Sequence, residues 1–130
     1  MVQADSAARL LIIGQAPGRK VHESGIPWND ASGDRLRSWL DISPAVFYDP
    51  SRIAIVPMGF CYPGVSKSGS GDAPPMKRCA PMWHHRLLAS LPGIRLTLLV
   101  GSHAQRAYLH GGKRSMTETV KAFDRASAVW

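Results

Sequence analysis

Three short aliphatic runs, each closed by glycine or proline, constrain this chain more than any other feature. They are Arg9-Leu10-Leu11-Ile12-Ile13-Gly14, Arg52-Ile53-Ala54-Ile55-Val56-Pro57 and Ile94-Arg95-Leu96-Thr97-Leu98-Leu99-Val100-Gly101. A continuous apolar run suits a strand buried on both faces of a sheet, because a half-exposed strand would alternate with polar residues. Between the runs the apolar spacing becomes helical. Leu36, Trp39 and Leu40 recur at i, i+3 and i+4 after a Ser32-Gly33 start, and Trp83, Leu87, Leu88 and Leu91 mark a second helix that Pro92-Gly93 stops. Ser102 with Gln105, and Ser115 with Glu118, have capping-box spacing for two more helices. Strands alternating with helices predict a three-layer α/β/α domain with a short, mostly parallel sheet and a site at the carboxyl ends of its strands.

At 130 residues and 45% hydrophobic, the chain reads as one domain over 1–130 with enough apolar side chain for one core. Its apolar runs are far shorter than the roughly 20 residues that span a bilayer. Met1-Val2-Gln3-Ala4-Asp5 has no signal-peptide character, so no membrane partner and a cytoplasmic location are expected. Sixteen Lys and Arg against nine Asp and Glu leave a charge of +7, which favours a polyanionic partner, nucleic acid first, or leaves a solvated basic surface. His84 and His85 are adjacent and project about 100° apart on a helix, so they cannot chelate one metal as an i, i+4 pair could. With Lys77, Arg78 and Arg86 they read as a basic face for phosphate or as plain solvated surface. The loop 59–75, rich in Gly and Pro, is long enough to be functional or disordered.

The sharpest motif is Gly14-Gln15-Ala16-Pro17-Gly18, directly after the first strand. Its glycines let backbone approach a ligand and Pro17 stiffens the turn, although an ordinary strand-to-helix turn has the same composition. It is not a P-loop, since no Gly-Lys-Ser/Thr follows, and it does not match the dinucleotide fingerprint. No phosphate-cradling run of Ser, Thr and Gly follows the strand either, which disfavours a flavodoxin-like ligand domain.

The run Gly14-Gln15-Ala16-Pro17-Gly18, then Gly25-Ile26-Pro27-Trp28, then Ser32-Gly33-Asp34-Arg35-Leu36 resembles the first motif region of the uracil-DNA glycosylase superfamily. The nearest likeness is to its iron–sulfur branch, with its G-E-A-P-G and G-R-P-F segments, and the intervals match without a gap. Phe60-Cys61-Tyr62-Pro63 and Cys79-Ala80-Pro81 are similar to that branch's K-C-R-P and C-x-P. The resemblance implies a DNA-repair hydrolase that flips a base from DNA and cleaves its N-glycosidic bond. Gly14, Gln15, Ala16, Pro17, Gly18 and Trp28 match its uracil-binding positions, with Trp28 stacking on the base. Ala16 stands where the best-known members carry a water-positioning Asp, so Glu23 and Asp30, with His22 beside them, become the candidates for meeting water or the sugar cation.

The same resemblance implies departures. Cys61 and Cys79 match two of the four thiolate ligands of a [4Fe–4S] cluster, and the sequence has no other cysteine. No cofactor is therefore expected in this chain, a cluster only in a longer parent that supplies a C-x-x-C, and two free thiols are the expectation here. Pro57 stands where the branch carries a base-reading Asn. No His-Pro occurs for the branch's H-P-S-P-like loop, and His110-Gly111-Gly112 is no replacement for it. These differences make the chain look truncated at both ends. The expectation is poor turnover, or a relative that binds nucleic acid or a nucleobase without turnover.

Overall fold

The computed structural model describes residues 1–109 and 115–122. The three aliphatic runs form the strands β1 (Leu10–Ile13), β2 (Ile53–Ile55) and β3 (Leu96–Leu99), in the order β2-β1-β3. Both pairings are parallel, with Leu10 beside Ile53 on one edge and beside Leu96 on the other. The central β1 has neighbours on both sides and helices on both faces, which is why its run never alternates.

Successive strand residues point to opposite faces. Leu11, Ile13, Ala54 and Val56 face one layer, where Leu91 and Ala104 close the core with half-buried Leu87, Leu88 and Tyr108 around them. Ile12, Ile53 and Ile55 face the other layer and meet Leu36 and Phe47. The first layer is made by α4 (Cys79–Ala89) and α5 (Ser102–Tyr108), the second by α2 (Ala31–Leu40) and α3 (Pro44–Phe47). Two short helices, α1 (Arg19–Ser24) and α6 (Met116–Lys121), complete the described elements. Ile12, Ile13, Ile55, Val56 and Phe47 are the largest side chains wholly removed from solvent. Each contributes about 1.5–3 kcal/mol of burial. The α/β/α reading therefore holds.

Several sequence expectations shift in phase. Trp39 is 77% exposed and Trp83 43% exposed, so neither belongs to the core. The inward positions go instead to Arg37 and His84, at 8% and 4% exposure. A hydrophobic count passes over both because they are polar, and each is buried through its hydrogen bonds. The start of α2 is set by Asp30, whose carboxylate accepts from the Gly33 N–H, rather than by Ser32. Ser102 lies inside α5, which Gly101 precedes without a side-chain cap. Ser115 does form the capping box with Glu118 at the start of α6. The His110-Gly111-Gly112 stretch lies outside the described residues. Among those described, no helix is long and apolar enough to cross a membrane.

Candidate active site

The chain leaves β1 through the α2/α3 layer to reach β2, then crosses to the α4 layer to reach β3 on the far side of β1. Connections that diverge in this way open a crevice at the carboxyl edge of a parallel sheet. A cleft of about 460 Å³ occupies that crevice. Gly14 to Gly18 line it after β1, Ile55 and Pro57 at the end of β2, and Val100 and Gly101 after β3. Trp28, Asp30, Ser32 and Asp72 reach it from the connections. Gln15 and Trp28 thus line one cavity. The turn is clamped to the end of β2, since Met58 and Gly59 donate their N–H groups to the Gly14 and Gln15 carbonyls at 2.9 Å each. The Gln15 side-chain amide, in the cleft lining, has no hydrogen-bond partner among the described residues.

Trp28 is held in an uncommon conformation. Its φ of 58° lies in the left-handed region, where a bulky residue costs on the order of 1–3 kcal/mol. Its surroundings fix it there. Arg37 donates to the Trp28 carbonyl at 3.1 Å and to the Tyr48 hydroxyl at 3.0 Å, while that hydroxyl donates to the Pro27 carbonyl at 2.8 Å. The same guanidinium pairs with Asp34 at 2.8 Å and lies over the Phe47 and Tyr48 rings. Two glycines make room. A Cβ on Gly14 would sit 2.9 Å from Trp28 Cζ2, and one on Gly33 would sit 1.7 Å from the Trp28 carbonyl oxygen. The close approach that Gly14 permits is therefore made to the Trp28 ring, which packs over the turn and forms a wall of the cleft.

The acidic candidates separate in space. Glu23 is exposed, lies outside the cleft lining and pairs with Arg19 one helical turn away at 3.7 Å. His22 is also exposed, with its Nδ1 accepting from the Tyr62 N–H at 3.2 Å. Asp30 lines the cleft while capping α2. Asp72, which sequence reasoning passed over, lines it too. Its only signal was its place in the long Gly- and Pro-rich loop, and no spacing rule ties it to the Gly14–Gly18 turn.

His84 overturns the phosphate-face reading for that residue. Its Nε2 lies 2.8 Å from the Pro57 carbonyl and its Nδ1 meets the Tyr108 hydroxyl, with Phe60, His84 and Tyr108 stacked in series. A carbonyl only accepts, so Nε2 carries the proton toward Pro57, and in the neutral ring Nδ1 accepts from Tyr108. Burial pushes the Tyr108 phenol up from its ordinary value. Lys77, Arg78, His85 and Arg86 are exposed.

Cys61 is exposed and Cys79 half-buried, and both are free. Among the described residues no group of three or more His, Cys, Asp or Glu side chains could hold a metal. Two thiolates are half of what a [4Fe–4S] cluster takes, so the residues of this chain do not fit that group.

Fold and cleft together define a small α/β domain with a preformed pocket at the carboxyl edge of a parallel sheet, walled by an aromatic ring and bordered by carboxylates. The family model of the uracil DNA glycosylase superfamily matches residues 2–129. The chain belongs to that superfamily.

Proposed function

We propose that this domain takes a single extrahelical base, uracil being the first candidate, into the cleft and hydrolyses its N-glycosidic bond. The observation that carries the reading is the joining of the Gly14–Gly18 turn, Trp28 and Asp30 in one cavity at the carboxyl edge of the sheet. The volume suits one base and part of its sugar, and access requires the nucleotide to leave the stack. Trp28 stacks on the base, worth roughly 1–3 kcal/mol, and the free Gln15 amide hydrogen-bonds its edge. Asp30, its backbone fixed at the start of α2, faces the cation that develops on the sugar. Gly14 to Gly18 form the floor. By motif the chain stands nearest the iron–sulfur branch, although its two cysteines do not make that branch's ligand set.

A specific observation favours a second reading. Pro57 has no side-chain donor for reading a base, and His84 already occupies its carbonyl. A relative that binds a base or DNA without turnover would tolerate that arrangement. Incubating the chain with a labelled single-stranded oligonucleotide containing one uracil, then cleaving abasic sites with alkali, separates the two. Base release that Trp28→Ala weakens supports the hydrolase; saturable binding without release supports the second reading.

A further inference from the structure

Within that hydrolase reading, on which this inference rests, we propose that Asp72 is the catalytic carboxylate that takes the proton of the attacking water. The Gly14–Gly18 turn carries no ionisable side chain, and the cleft lining has only two carboxylates, Asp30 and Asp72. Their circumstances differ. Asp30 spends one oxygen on the Gly33 N–H at 2.9 Å, which commits it to the start of α2. Asp72 has no hydrogen bond or ion pair among the described residues, and its Oδ2 lies 3.6 Å from where a Cβ on Gly18 would stand. Its carboxylate thus lies over the last residue of the turn, unneutralised. A carboxylate left without a partner is available as a base, whereas one that caps a helix is better suited to stay ionised and fixed.

The loop that delivers it is an organised structure. Val65 and Asp72 pair in an antiparallel bridge, Ser66 donates to the Gly71 carbonyl at 3.0 Å, and Ala73 donates to the Gly64 carbonyl at 2.8 Å. Its far end returns to its origin, since a Cβ on Gly59 would touch the Pro75 ring at 3.0 Å. Gly59 is itself bonded to the Gln15 carbonyl. A run of backbone contacts therefore ties the position of Asp72 to the turn it overlooks. That length of chain is accounted for if its task is to present one side chain.

The step balances without a co-reactant. A water O–H proton passes to the Asp72 carboxylate as the oxygen bonds to the anomeric carbon. The C–N bond breaks with its electron pair going to the base, Asp30 faces the positive charge on the sugar, and Asp72 then returns the proton to the base or to solvent. Water is consumed, and free base and an abasic sugar leave.

Single-turnover release of uracil from the labelled oligonucleotide is measured for the full chain, Asp72→Asn and Trp28→Ala, together with oligonucleotide affinity and the thermal midpoint. Asp72→Asn is expected to slow release by about 100-fold or more, in line with the loss of a general base. Affinity should hold or tighten, since a negative charge facing DNA is removed, and the midpoint should stay unchanged because Asp72 is exposed. Release by Asp72→Asn within about threefold of wild type, with Trp28→Ala impaired, overturns the role of Asp72 and leaves the hydrolase standing. Loss of activity together with affinity and midpoint makes Asp72 structural and also overturns it. No release by the wild-type chain overturns the hydrolase reading and this role with it.

Discussion

Replacing Gly33 by alanine sets two known effects against each other. Gly33 lies in the first turn of α2, where alanine ordinarily gains up to about 1 kcal/mol over glycine. Against that, the new Cβ would stand 1.7 Å from the Trp28 carbonyl oxygen, 2.6 Å from its carbonyl carbon and 3.0 Å from its Cβ. A carbon meets a carbonyl oxygen comfortably at about 3.3 Å or more, so the Trp28 turn must retreat by roughly 1.5 Å. The obstacle is backbone, which no rotamer change relieves. The retreat breaks the Arg37 bond to the Trp28 carbonyl, worth about 1.5–3 kcal/mol, and strains the Tyr48 bond to Pro27, worth about 1 kcal/mol. Less the helix gain, Gly33→Ala should destabilise the fold by roughly 2–3 kcal/mol. At about 4 °C per kcal/mol for a domain of this size, the thermal midpoint should fall by about 10 °C. Circular dichroism melts and urea titrations measure this, with an unchanged urea slope showing that the unfolded state is unaltered. A variant as stable as wild type or more so would mean that helix propensity dominates and that the packing of Trp28 on Gly33 is not tight.

Arg37→Met keeps an apolar chain against Phe47 while removing the guanidinium, and should cost about 2–4 kcal/mol in urea unfolding together with most of the oligonucleotide affinity that Trp28 provides. The half-buried Tyr108 phenol ionises above its ordinary value of 10.0, so its stabilisation is complete below that pH and is lost as pH climbs through the folded-state value. The gap in thermal midpoint between wild type and Tyr108→Phe should therefore stay constant through neutral pH and narrow at alkaline pH. Iron analysis and the visible spectrum of the purified chain should show no stoichiometric [4Fe–4S] cluster, and four irons per chain would mean that ligands beyond Cys61 and Cys79 complete one.

The strands β1 and β2 were legible because burial on both faces leaves a mark that survives without tertiary information. The run of β3 was aliphatic enough to read as a strand although, at the sheet edge, it is only partly covered and Leu96 is 57% exposed. The Gly14–Gly18 turn was legible for a related reason, its position after a strand that had to be central. What escaped was whatever depends on polar burial. Arg37 and His84 are buried because each finds several partners far along the chain: Tyr48 is 11 residues from Arg37, Tyr108 is 24 from His84, and Pro57 is 27 from His84. Apolar periodicity cannot register such partners, so it assigned their places to Trp39 and Trp83. Asp72 escaped differently. Its approach to Gly18 depends on how a long loop folds back, and neither composition nor spacing encodes that path.

The distribution of charge bears on how such a domain would hold its substrate. The chain carries +7, yet the ionisable side chains lining the cleft are Asp30 and Asp72, with no Lys, Arg or His side chain among the lining residues. Arg19, Lys20, Lys77, Arg78 and Arg86 are all exposed and outside that lining. On the proposed reading, phosphates would be held by the surface around the cleft and the base inside it, so affinity and chemistry would depend on different groups. Salt acts on the first. If about five phosphates of a single strand are neutralised, the logarithm of the binding constant falls with a slope of about −3.5 against the logarithm of salt, and a fourfold rise in salt weakens binding by about 100-fold. The single-turnover rate at saturating protein should change by less than about threefold over the same range, because at saturation the phosphate contacts are already made and the short-range contacts of the proposed chemistry are little screened. Fluorescence anisotropy of a labelled oligonucleotide gives the first quantity, and quenched single-turnover cleavage the second. Salt-independent affinity would remove the surface from recognition, and a saturated rate that falls as steeply as affinity would mean that phosphate contacts are made only in the transition state.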